Sequence, residues 1–125
     1  MRYDRHYTVE EARALLPQLR LWLDELNQLR RLVSRHDDHA AEQFAGGADL
    51  GGRAVNEWMQ HLARMKQLLG EFAARAIQIK DLERGLIDFP HLMNDREVFL
   101  CWEQDEEDIE HWHDLDTGYS AREKL

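Results

Sequence analysis

The feature that most constrains this chain is a repeating apolar stripe that appears twice. Ala12, Leu15, Leu19, Trp22, Leu26, Leu29 and Val33 recur at alternating spacings of four and three, which places them on one face of an amphipathic helix. The pattern resumes at Val55 and runs through Trp58, Leu62, Met65, Leu69, Phe72 and Ala76. Two such helices with one connection predict an antiparallel hairpin. The first begins with a visible device: Thr8-Val9-Glu10-Glu11 is a capping box, in which Thr8 and Glu11 satisfy each other's backbone amides. Pro17 falls well beyond the first turn, so a kink or an end to the helix near Leu16 is expected. Leu16, Leu23, Leu32, Met59 and Leu68 lie beside the stripes and widen the apolar face. Between the helices, four glycines within Gly46–Gly52 predict a fraying helix end and an interhelical loop near 44–53.

After Ala76 the period changes. Ile77 and Ile79 alternate with polar residues, and Gly85 and Pro90 punctuate Leu86–Phe89. Arg96–Trp102 is rich in β-formers and apolar on both faces, the mark of a central strand. Gln104–Asp108 reads as a polar turn into a further strand over Ile109–Asp114. The expected fold class is α+β: a long antiparallel helical hairpin over 8–76, then a small antiparallel sheet of three or four strands and a tail over 77–125. At 125 residues this is one domain.

Charge narrows the partners. Residues 93–125 hold 3 Lys+Arg against 11 Asp+Glu, nearly the whole net charge of −9, whereas residues 46–92 hold 6 against 6. Such a distribution opposes phosphate binding, so neither nucleic acid nor an anionic membrane is an expected partner. A cation or a basic protein surface would suit the acidic end. A single cysteine, Cys101, excludes an internal disulfide and suits a reducing cytoplasm. No apolar run reaches membrane-span length and the first residues do not resemble a secretory signal, so a cytoplasmic protein is expected.

The segments Tyr7–Ala12 with Leu15-Leu16-Pro17, Leu50-Gly51-Gly52, Lys80–Pro90, Val98–Trp102 and Trp112-His113 with Gly118 and Arg122 resemble a bacterial domain-of-unknown-function family, number 2203, over essentially the whole chain. The resemblance implies no activity. In this chain Asp105-Glu106-Glu107 stands where the family pattern reads Gly-Glu-Pro, and His111 is not part of that pattern.

Chemistry-bearing residues concentrate in the second half. His111 and His113 are two apart in a strand and so share a face. With Asp114 and Asp116 they form a candidate divalent-metal set; no other cofactor is expected. Asp81, Glu83 and Asp88, set among Leu82, Leu86, Ile87 and Phe89, together with His113, are the candidates for acid–base catalysis. Their alternative role is to pair with Arg84, Arg96 or Arg122 and fix the turns. Cys101, between Leu100 and Trp102, reads as a small buried hydrophobe. Neither serine has a nucleophile-elbow context.

Two functions follow. One is a non-enzymatic hairpin module that self-associates as a homodimer or binds another protein, with Trp22, Leu26, Trp58 and Leu62 at the interface. The alternative is a small metal-binding protein or hydrolase-like enzyme that uses the His/Asp cluster of the sheet.

Overall fold

A computed structural model describes residues 1–45 and 52–125, with side chains over 1–38 and 52–125. Two helices, α1 (Val9–Ala45) and α2 (Arg53–Ala74), precede five strands: β1 (Gln78–Asp81), β2 (Leu86–Met93), β3 (Arg96–Glu103), β4 (His111–Asp114) and β5 (Glu123–Lys124). The strands form one antiparallel sheet in the order β1-β2-β3-β4-β5. The α+β class therefore holds. The sheet exceeds the expected three or four strands because the short β5 pairs with His111 and Trp112.

The capping box forms as expected: the Thr8 amide donates to Glu11 Oε1 at 2.9 Å and the Glu11 amide to Thr8 Oγ1 at 3.1 Å. Pro17 does not end the helix, which continues to Ala45 for about 55 Å at 1.5 Å per residue. Both Pro17 and Arg13, whose carbonyl loses its amide partner, lie on the exposed side of α1, where that carbonyl is open to solvent. Helix thus persists into the stretch expected to fray. The expected interhelical loop lies, at 46–51, outside the described residues.

The buried line of α1 is Ala12, Leu16, Leu19, Leu23, Leu26 and Leu29, while Leu15 and Trp22 are only partly buried beside it. Leu16 and Leu23, expected at the margin, are core. The reason is that α1 serves two neighbours: Trp22 meets Phe72 of α2 edge to face, and Arg20 donates to the carbonyls of Gln104, Glu106 and Glu107 beyond β3. A helix packed on two sides needs a wider apolar face than one stripe. From the sheet, Ile87, Phe89, Leu100, Trp102 and Ile109 complete this core.

Pro90 sits inside β2, opposite Phe99, past the end of β1. Its carbonyl accepts the Tyr7 amide at 2.7 Å. The proline nitrogen therefore faces this outer edge, and no bond of the β2–β3 ladder is lost. The β3–β4 connection spans 104–110, longer than the expected four- or five-residue turn, because pairing resumes only at His111.

Candidate polar centre on the outer face of the sheet

Alternation sorts the strands into two faces. Ile87, Phe89, Leu100, Trp102 and Trp112 turn towards the helices, so Asp88, Phe99, Cys101, His111 and His113 occupy the other side. Cross-strand register then assembles a group that is scattered in sequence: Asp88 lies opposite Cys101, Cys101 opposite His111, and Phe99 opposite His113. Asp88, Cys101 and His113 are 1%, 1% and 2% exposed. One ligand-type atom from each lies within 4.8 Å of the others.

His113 is fixed at both ring nitrogens. Nδ1 lies 2.8 Å from the Asp114 carbonyl oxygen and Nε2 lies 2.9 Å from Asp88 Oδ2. A carbonyl can only accept, so Nδ1 carries a hydrogen. Burial alone would push the imidazole pKa down, but the Asp88 carboxylate and the Asp114 carbonyl outweigh it and leave the pKa raised. The other carboxylate oxygen, Asp88 Oδ1, is buried without a hydrogen-bond partner. The Cys101 thiol is pushed up to about 12, first by burial and then by Asp88. It is therefore not a free thiolate nucleophile at neutral pH.

A second polar layer borders this group. Arg122 donates to Glu106 Oε1 at 2.8 Å and Arg84 to Glu103 Oε1 at 2.7 Å. Both guanidiniums also stack on the Tyr119 ring, at 4.1 and 4.4 Å. Arg13 pairs with Asp108. Much of the acidic run is thus neutralised by arginines rather than simply solvated.

The candidate residues separate accordingly. His111 shares the face of His113, as expected, but its Nδ1 points to Glu106 Oε2 at 3.4 Å without a hydrogen bond. Asp114 alternates to the opposite face and pairs with Arg96, and Asp116 is exposed and pairs with Arg2. The set His111, His113, Asp114 and Asp116 therefore does not converge. Asp81 accepts the Arg84 amide and closes the β1–β2 turn. Glu83 is exposed and lines an open polar cleft of about 610 Å³ with Asp24, Asn27, Gln28, Arg30, Arg31 and Gln104. Of the four acid–base candidates, only Asp88 and His113 meet. Cys101, read from sequence as a plain hydrophobe, is the member of the group that was missed. The available signal was its position out of phase with Leu100 and Trp102.

Among the interface candidates, Leu26 is fully buried within the monomer and Trp22 packs on Phe72, with Arg75 over its ring. Leu26 is therefore committed to the core of α1, and Trp22 remains partly exposed beside it. Trp58 is partly buried, its Nε1 unpartnered, and Leu62 is exposed.

A helical hairpin backed by an antiparallel meander, with a buried polar group on the sheet's outer face, defines the class of protein. The chain belongs to the family described as "Uncharacterized conserved protein (DUF2203)", whose model matches residues 5–125. No curated protein and no solved structure matches it.

Proposed function

We propose that the protein is a non-enzymatic self-association module that works as a two-fold homodimer through the distal half of its helical hairpin. The observation that carries this reading is where the core stops. Along α2 only Leu68 and Phe72 are fully buried. Among the described residues, none in 30–38 of α1 or 53–67 of α2 is fully buried. That arm nevertheless carries Val33, Val55, Trp58 and Met65, half-covered, with Met59 and Leu62 exposed, and Leu69 continuing the same side of α2. Two helices form one layer and close no core by themselves. Gly70 adds to this: it weakens a helix interior by roughly 0.5–1 kcal/mol relative to Ala, yet nothing lies within 4 Å of where its Cβ would sit. A second backbone approaching this side would use that space.

Charge selects a second copy as the occupant. The sheet end carries most of the negative charge and repels its like, whereas residues 30–67, which span the arm, hold 6 Lys+Arg against 5 Asp+Glu. Pairing arm to arm as a four-helix bundle keeps the acidic ends apart and satisfies one surface with itself.

Light scattering on the full chain at micromolar concentration tests this. The expected mass is about twice 14.9 kDa. Met59→Glu combined with Leu62→Glu should give a folded monomer by circular dichroism, whereas Leu26→Asp should unfold the chain. A wild-type monomer at all concentrations overturns the reading.

A further inference from the structure

The geometry points to a binding site for one zinc-class divalent cation on the outer face of the sheet, held by Asp88, Cys101 and His113. The three residues sit on three adjacent strands, and the hydrogen-bonded register of β2, β3 and β4 sets their spacing. Precision in a metal site comes from rigid elements of this kind.

Two observations beyond the clustering point to a cation. The first is the bond at Nδ1 of His113. Because Nδ1–H is committed to the Asp114 carbonyl, the neutral ring presents a bare Nε2 lone pair to an oxygen of Asp88 at 2.9 Å. Two acceptors at that distance share a proton, and a metal ion can take that proton's place once the two atoms move apart to the spacing of tetrahedral ligation. A backbone carbonyl on the far nitrogen is also the usual outer partner of a metal-bound histidine, fixing its tautomer and orientation. The second is Asp88 Oδ1, a carboxylate oxygen of a residue 1% exposed that has no hydrogen-bond partner. Buried carboxylate oxygens are normally satisfied, and this one belongs to the same residue that faces His113.

The donor set chooses the metal class. One imidazole nitrogen, one thiolate sulfur and one carboxylate oxygen suit zinc, or cobalt as its spectroscopic substitute, and disfavour calcium and magnesium, which take oxygen. Tetrahedral ligation places donor atoms about 3.3–3.6 Å apart, and the three atoms here lie within 4.8 Å of one another, so side-chain adjustment closes the site. Charge also balances. A dication exchanged for the Nε2 proton of His113 and the thiol proton of Cys101 leaves the formal charge of the group unchanged. Arg122, which lies beside Cys101, is offset by Glu106. Three protein donors leave one tetrahedral position for water.

Cobalt titration of the chelator-stripped full chain supplies the test. Because Cys101 is the only cysteine, a sulfur-to-cobalt charge-transfer band assigns the ligand without any variant. One equivalent of cobalt should produce that band, and zinc should displace it. His113→Gln should weaken cobalt binding at least tenfold while keeping the wild-type circular dichroism. In a second measurement, zinc should raise the melting temperature of the wild type and not that of Cys101→Ser. A wild-type protein that gives no charge-transfer band with stoichiometric cobalt overturns the proposal. So does zinc stabilisation that persists unchanged in Cys101→Ser.

Discussion

Replacing Asp88 with asparagine isolates the charge in the buried pair without changing its shape. In the wild type, Asp88 Oδ2 and His113 Nε2 meet at 2.9 Å with both side chains almost wholly out of water. Asparagine offers a neutral amide that can donate to Nε2 of a neutral ring, so packing and one hydrogen bond survive while the ionic part is lost. Hydrogen bonds to charged groups contribute about 1.5–3 kcal/mol, and Asp88→Asn should therefore cost about 2 kcal/mol where His113 is protonated in the wild type. The pH dependence has a definite sign. The folded pKa of His113 is raised, so the pair contributes fully below the unfolded value of about 6.5 and loses its contribution as pH rises through the folded value. The gap between wild type and variant should be widest near pH 5.5, roughly one unit below that unfolded value, and narrow as pH rises through the folded value. Urea unfolding with chelator present, followed by tryptophan fluorescence, reads the gap as a midpoint shift of about 1 M at typical slopes. A loss of equal size at every pH would refute the argument, because the protonation of His113 would then not change across the range.

Two further substitutions test the parts that hold this face. Burial alone would raise Glu97, but the His6 ring and the Tyr3 and Arg2 amides outweigh it and hold the carboxyl at about 2. Its contribution is present above the unfolded pKa of about 4.3 and lost as pH falls through the folded value, so Glu97→Gln should cost about 1–2 kcal/mol at neutral pH. Hydrogen exchange at the Arg2 and Tyr3 amides should quicken with it. Gly85 has φ of +65°, and a Cβ there would lie 2.6 Å from Gln104 Cβ. Gly85→Ala should lower stability by about 1–3 kcal/mol in a thermal melt, through backbone strain and the forced shift of Gln104.

What was legible in the sequence is what depends on near neighbours. The capping box at Thr8 and Glu11 is a three-residue relation, and it formed as read. The helical stripes and the β-rich run at Arg96–Trp102 are periodicities within one element, and they gave the α+β class. Pro17 does not end α1, because a local rule about a missing amide does not know which side of the helix faces water. Leu16 and Leu23 fall at the margin of the sequence pattern because one helix's periodicity does not reveal a second neighbour. The two-residue β5 has no periodicity at all, and only its pairing with β4 makes it a strand.

The polar centre was half visible for the same reason. That His111 and His113 share a face follows from strand alternation. That Asp88 and Cys101 join His113 depends on cross-strand register, which residue spacing along one chain does not encode. Once β3 is central, its outer face must also be covered, and the chain covers it sparingly. Tyr3 lies against Phe99, and Arg122 with Tyr119 flanks the Cys101 side. Arg2 meets Asp116 in an exposed pair, Arg122 meets Glu106 in a largely buried one, and Glu97 holds the Arg2 and Tyr3 amides, whereas the helix-facing side is held by a continuous apolar core. The exposed Arg2–Asp116 pair contributes little, and the cover has no continuous apolar core of its own, so it should open at a lower free energy than the sheet it protects. Asp88, Cys101 and His113 would then exchange protons with solvent while the strands that position them stay paired.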